Sequence, residues 1–135
     1  MPAGYSGTPL SKKLGLEPGM RASAMGAPGH YPDLLAPQPE AIRWLGPRCR
    51  KIDFVHLFVT RERDLAARLP RQLARIVANG MIWVSWPKKA SKVPTDVTED
   101  VVRRHALPLG IVDVKVCAVD DVWSGLKLVI RKENR

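Results

Sequence analysis

Cysteine is nearly absent: Cys49 and Cys117 are the only two in 135 residues. The amino terminus, Met1-Pro2-Ala3-Gly4-Tyr5, has no charged region followed by an apolar one, so no export signal is visible. Reduced thiols in a cytoplasmic protein are the matching expectation, and no disulfide framework is required. No run approaches the roughly 18 apolar residues of a membrane-spanning helix, so no membrane partner is expected. The histidines are few as well. His30, His56 and His105 match no zinc spacing with the two cysteines, and no metal site is expected. Gly-x-Ser-x-Gly is missing, and with it the nucleophile elbow. There is no internal repeat and no low-complexity tract. Acidic residues are scarce, 13 against 22 lysines and arginines, giving a net charge of +9 and a pI of about 10.1. That balance favours polyanions, acidic proteins or anionic metabolites as partners. The cations are spread along the chain without a tail or a base-reading motif, so any nucleic-acid binding should be non-specific.

What remains is a globular composition. Hydrophobic residues make up 45%, and the length suits a single α/β domain. Residues 1–19 read as an amino-terminal arm and helix, and 20–135 as the core. The rest of the chain is organised around residues 53–89. Phe54 to Val59 is apolar on both faces except at His56, and Met81 to Val84 is apolar on both faces. Such strands are usually parallel and covered by helices on both sides. Between them Leu65, Leu69, Leu73, Ile76 and Val77 recur at helical spacing. Asn79-Gly80 reads as the helix stop, which makes a β-α-β unit. Pro70 falls inside this helix, and the unbroken apolar stripe favours a kink there.

Elsewhere, Thr8-Pro9 opens a short helix with threonine as its cap, and Gly15 ends it. Residues 20–25 form a strand, 26–29 a glycine-rich loop, and 30–35 one or two helical turns. Residues 41–45 make a weak strand. The link from there to Asp53 is shorter than the dozen residues a parallel crossover usually takes. Either that strand is vestigial or the link crosses without a helix. Thr98 caps a helix with an acidic first turn. Residues 112–119 and 126–131 are strands, joined by 120–125 in an antiparallel hairpin. The expected fold is α/β, a Rossmann-like, mostly parallel sheet of about six strands with a carboxy-terminal antiparallel hairpin.

This order resembles a shortened class I methyltransferase fold. Leu14-Gly15-Leu16-Glu17-Pro18-Gly19-Met20-Arg21 is similar to the lead-in to that family's first strand. Residues 73–84 are similar to its helix-to-strand passage after the cofactor pocket. A second resemblance covers nearly the whole chain. Tyr5-Ser6-Gly7-Thr8-Pro9-Leu10, Trp83-Val84-Ser85-Trp86-Pro87-Lys88-Lys89 and Asp121-Val122-Trp123-Ser124-Gly125-Leu126-Lys127-Leu128-Val129 look like the bacterial domain-of-unknown-function 3052 family. That resemblance implies kinship and not chemistry.

The methyltransferase resemblance implies glycines after the first strand, an acidic residue before them, and another acid ending the second strand, on the ribose hydroxyls. Gly26 can stand for the first glycine. Ala24 sits where the acid is expected, and Pro28, which has no N–H, where the next glycine would be. Trp44-Leu45-Gly46 supplies no carboxylate. The expectation is that S-adenosylmethionine does not bind and that no cofactor is needed. His56 reads as a hydrogen-bonded core residue and His105 as part of a helix face. No residue is assigned a catalytic role.

The candidate ligand-binding residues are Gly26, Gly29 and His30 after the first strand, with Trp86, Lys88 and Lys89 at the exit of the central strand. Asp120, Asp121, Trp123 and Ser124 join them from the hairpin turn. Open α/β sheets place ligands outside the carboxyl ends of their strands. Lysines and a tryptophan there suit an anion with an aromatic or acyl part. The leading expectation is a non-catalytic domain binding an anionic small molecule or a protein partner. A divergent S-adenosylmethionine-dependent methyltransferase comes second, and a basic nucleic-acid-binding accessory protein third. Oligomeric state is left open.

Overall fold

The computed structural model describes residues 8–135; Tyr5, Ser6 and Gly7 of the stretches quoted above lie outside the described residues. Six strands form one sheet: β1 (Arg21–Met25), β2 (Arg43–Trp44), β3 (Ile52–Phe58), β4 (Ile76–Pro87), β5 (Ile111–Ala118) and β6 (Trp123–Ile130). Their spatial order is β2-β1-β3-β4-β6-β5. The first four are parallel and β6 runs antiparallel to both β4 and β5. The chain goes outward from β1 to β2, then crosses to the other side of β1 for β3. The switch point of the sheet therefore lies between β1 and β3.

Among the described residues four α-helices cover the two faces: α1 (Leu10–Lys13), α2 (Tyr31–Leu35), α3 (Glu62–Leu73) and α4 (Glu99–Ala106). Because alternate strand residues point to opposite faces, the apolar strands feed two cores. One holds Leu14, Tyr31, Leu35, Phe54, Phe58 and Trp83 beneath α1 and α2. The other holds Val55, Leu57, Leu65, Leu69, Ile82 and Val102 beneath α3 and α4. Double coverage explains why residues 54–58 and 81–87 are apolar on both faces apart from His56 and Ser85. Trp83 is fully buried, and its indole N–H donates to the Leu14 carbonyl at 2.7 Å, tying α1 to the central strand.

Several local expectations change. The helix that begins the central unit stops at Leu73, and Ile76, Val77, Asn79 and Gly80 lie inside β4. From Ile52 to Phe54 β3 advances two residues, while the facing β4 advances five, from Ile76 to Met81. Asn79-Gly80 belongs to this irregularity, not to a helix stop. Gly80 is buried there, and a Cβ would stand 3.0 Å from the Val77 carbonyl oxygen and 3.1 Å from that of Ile52. Pro70 sits in the last turn of α3, where it cannot supply an N–H to the Ala66 carbonyl, and the helix ends three residues later at Leu73. Pro9, not Thr8, occupies the α1 cap position, and no side chain caps that helix. Thr98 does cap α4, accepting from the Val101 N–H at 3.2 Å. Strand β6 begins at Trp123, so Trp123 and Ser124 belong to the strand and not to the turn.

The short link between β2 and β3 crosses without a helix. Arg75, which is buried, holds it from below. Its guanidinium donates to the carbonyls of Cys49 and Gly46 at 2.9 and 2.8 Å, to Ser23 Oγ at 3.0 Å and to Gln72 Oε1 at 2.6 Å. Arg21 adds bonds to the carbonyls of Lys51 and Arg50. Two arginines thus satisfy backbone acceptors that a helix would have satisfied internally. Among the described residues, no helix is long and apolar enough to cross a membrane.

Candidate functional site

The carboxyl ends of β1, β3 and β4 open on the same edge as the β5–β6 turn. Gly26 leaves β1 with φ +73°, a left-handed conformation that favours glycine. A Cβ there would meet the Phe58 carbonyl oxygen at 2.8 Å, so this turn packs directly onto the end of β3. The loop then brings His30 across to the hairpin, where His30 Nε2 lies 2.9 Å from Asp120 Oδ2. Asp120 is held in turn: its Oδ1 accepts from the N–H groups of Val122 and Trp123 at 2.9 and 2.7 Å. Burial alone would raise the Asp120 pKa. The Trp123 N–H, His30 and the Val122 N–H outweigh it and hold the carboxyl below the usual range. The His30 side chain keeps 53% of its exposure, while Asp120 keeps 11%. A fixed carboxylate with an exposed imidazole can orient that ring to accept or donate a proton at its other nitrogen. Phe58 and Trp123 complete the edge, their rings perpendicular with centroids 5.0 Å apart.

Beneath this edge runs a buried polar chain that sequence reasoning caught only at His56. Tyr31 Oη lies 2.7 Å from His56 Nδ1, and His56 Nε2 lies 2.7 Å from Ser85 Oγ. His56 and Ser85 are completely buried. Burial lowers the His56 pKa to about 3 and raises that of the Tyr31 phenol, so both stay neutral. The chain links α2, β3 and β4 directly below the switch point. Its only sequence signal is a polar residue within each apolar strand.

The remaining candidates divide. Lys88 is half-buried, and its backbone N–H donates to the Val122 carbonyl at 2.7 Å, which joins the exit of β4 to the hairpin turn. The charges of Lys13, Lys115 and Lys88 reach Cys117, whose thiol burial nonetheless pushes up. Lys89, Gly29 and Asp121 are exposed. Trp86 pairs with Ser124, and Pro87 with Trp123, across the β4–β6 ladder. Trp86 is 7% exposed and packs into the α3–α4 core, on the opposite face from Trp123. The structure therefore brings together Gly26, His30, Asp120, Trp123 and the Lys88 backbone, and turns Trp86 away. His105 is bonded to Glu62 at 2.7 Å on the α3–α4 face. A groove of about 230 Å³ lies on that face, lined by Leu65, Leu69, Pro70, Arg104, His105 and Leu109 among others, away from the switch point.

No family model matches this chain, and no curated protein matches it in sequence. Solved structures resemble it in fold. A SAM-dependent methyltransferase from Aquifex aeolicus is 16% identical with a TM-score of 0.65, covering 90% of this chain and 88% of that one. Fibrillarin from Aeropyrum pernix, solved with natively bound S-adenosyl-L-methionine, is 14% identical with a TM-score of 0.57, over 86% of this chain and 69% of that one. TrmN from Thermus thermophilus is 14% identical with a TM-score of 0.58. The match covers 90% of this chain but spans only about half, 47%, of TrmN. At such identities the likeness is one of fold: this chain has a methyltransferase-like Rossmann architecture.

Fibrillarin of this fold holds S-adenosyl-L-methionine, and the residues present here fit such a cofactor incompletely. The left-handed Gly26 turn offers close backbone approach at the switch point. Ala24 and the exposed end of β2 at Trp44 supply no carboxylate for a ribose, and Pro28 supplies no N–H. The groups that would grip the ribose are not those of a standard adenosyl site.

Proposed function

We propose that this chain is a divergent domain of the S-adenosylmethionine-dependent methyltransferase type, with its ligand site at the carboxyl edge between β1 and β3. The observation that carries this reading is the sheet order β2-β1-β3-β4-β6-β5, which puts a switch point beside the Gly26 turn. Likeness to methyltransferases supports it over the non-catalytic reading that the residues alone favour. Kinship with the domain-of-unknown-function 3052 family is part of the same proposal and rests on the sequence stretches at 5–10, 83–89 and 121–129. Without ribose carboxylates, an adenosyl ligand is held by backbone, the His30–Asp120 pair and aromatic contact. Calorimetric titration with S-adenosylmethionine and S-adenosylhomocysteine tests this. The expected dissociation constant is tighter than about 100 μM, or roughly −5.5 kcal/mol.

A second reading is favoured by Ala24 and by the missing acid after Trp44. In it the same edge serves a non-catalytic domain that binds an anionic ligand or a protein partner through Lys88 and Lys89. No heat with either adenosyl compound at 1 mM would sink the first reading. Under the second, a double Lys88→Ala, Lys89→Ala variant folds normally and loses binding of whatever anion co-purifies with the native protein.

A further inference from the structure

At the other end of the sheet lies a surface that the carboxyl-edge site does not use. Between Glu40 and Asp53 the sequence has Arg43, Arg48, Arg50 and Lys51 and no carboxylate. All four are exposed. They sit on β2, the edge strand, and on the helix-free link that follows it. The link is not a loose loop. Arg75 holds the carbonyls of Gly46 and Cys49 from inside, and Arg21 those of Arg50 and Lys51. Arg50 itself donates to the Ala74 carbonyl at the end of α3, at 3.1 Å. Arg21 also pairs in register with Arg43 across β1 and β2, which places the Arg43 end of β2 beside the link. Arg21, Arg50 and Arg75 are therefore occupied in fixing backbone, while Arg43, Arg48 and Lys51 stand exposed on a rigid frame. The backbone that carries them loses little conformational freedom on meeting a polyanion.

Beside these cations stands an aromatic ring. Trp44 is 39% exposed, the most exposed tryptophan of the described residues. Its indole N–H donates to Gln38 Oε1 at 2.9 Å, and the ring lies nearly perpendicular to those of Tyr31 and Phe54, which fixes its orientation. Arg43 and Trp44 point to opposite faces of a strand at the margin of the sheet, so both can be reached from the side. Cations that can track phosphates, with a fixed ring at the same margin on which a base can stack, are the elements of single-strand recognition. Nothing here has the shape of a reading helix for duplex grooves.

We propose that the β2 margin, Arg43 and Trp44 with the arginine-anchored 45–51 link, binds single-stranded nucleic acid, its cations on phosphates and Trp44 against a base. This goes beyond the carboxyl-edge site and is independent of it. Binding is sequence-tolerant and falls steeply with salt, because it rests on released counterions.

Fluorescence anisotropy with a labelled 20-mer of oligouridylate and with a duplex of the same length, at 50 and 200 mM salt, tests the proposal. Vesicles containing phosphatidylserine are the competing polyanion. The wild-type chain is expected to prefer the single strand to both. Reversing three charges, Arg43→Glu with Arg48→Glu and Lys51→Glu, is expected to weaken binding at 50 mM salt by about 10-fold or more. It should also flatten the logarithmic salt slope by about 2, at roughly 0.7 for each phosphate no longer neutralised. Arg48→Glu alone, in the middle of the exposed link, is the variant least able to disturb the fold and should weaken binding about 3-fold. The control reverses three exposed charges elsewhere, at Arg63, Arg104 and Lys132. An equal effect in that control overturns the proposal in favour of diffuse charge. So does tighter binding to duplex or vesicles, unchanged affinity in the triple variant, or no binding to the single strand at 50 mM salt.

Discussion

His56 shows how one residue sets the behaviour of the interior. Its ring is stacked on Phe58, with centroids 4.1 Å apart, and bridges Tyr31 and Ser85. In the unfolded chain it takes up a proton near its ordinary pKa of about 6.5. In the fold burial lowers that pKa to about 3. Between those two values the unfolded state binds more protons than the native state. The neutral ring's contribution to stability is therefore complete above about pH 6.5 and is lost progressively as the pH falls towards 3. The limiting slope is about 1.4 kcal/mol per pH unit, and from pH 6.5 to 4.5 the loss should approach about 2 kcal/mol. Urea unfolding at half-unit steps across that range checks this. His56→Gln keeps a polar side chain between Tyr31 and Ser85 but cannot titrate. It should be less stable than wild type at pH 7 and show a flatter pH profile. Parallel profiles for the two proteins would mean that His56 is protonated or hydrated in the native state.

Among the elements, the β2–β3 link depends most on a single side chain. Removing the Arg75 guanidinium by Arg75→Met leaves two backbone carbonyls, Ser23 and Gln72 without that partner in a buried setting. The expected cost is about 3 kcal/mol, the range for breaking bonds to a charged group and stranding their acceptors. Trypsin gives a sharper readout, since Arg48, Arg50 and Lys51 are cleavage points within the link. Nicking there should accelerate more than cleavage elsewhere; uniform acceleration would instead indicate global unfolding. This link also marks the limit of what the sequence reveals. Patterning disclosed β3 and the apolar part of β4, because coverage on two faces leaves unbroken apolar runs; helical spacing disclosed the α3 stripe, and a connection too short for a crossover disclosed the final hairpin. It could not disclose Arg75 as an anchor, since a buried arginine and a surface arginine read alike. Ile76 and Val77 fit a helical stripe and a strand equally, so only the pairing with β3 assigns them to β4. At the site, chain order and the carboxyl-edge rule put the Gly26–His30 loop and the hairpin turn among the candidates at one edge, but the contact of His30 with Asp120 was not legible. The face taken by Trp86 was not, because a strand apolar on both sides gives no sign of which core each ring enters.

For the molecule as a whole, charge and topology give the sheet two different ends: an arginine-rich amino end around the 45–51 link, and a carboxyl end closed by His30 and Asp120. The clasp joins segments 90 residues apart, the loop after β1 and the β5–β6 turn. It spans the end of β3, where Gly26 rests on Phe58. The pair is exposed on the histidine side, so its contribution falls in the range of about 0.2–1 kcal/mol for such contacts. That is small for global stability but large for a loop that opens locally. In His30→Ala, global unfolding should change by less than about 1 kcal/mol. Amide exchange in residues 26–30 should accelerate up to about 5-fold, the same free energy expressed as an opening equilibrium. The same protection should weaken in acid. Asp120 holds its charge below the usual carboxylate range, so its contribution is present at neutral pH and is lost as the pH falls through that lowered value. Hydrogen exchange followed by mass spectrometry at pH 7 reads the loop and the hairpin turn separately. If His30→Ala leaves protection at 26–30 unchanged, the Gly26–Phe58 packing holds the loop without the clasp, and the carboxyl edge is closed by backbone contact alone.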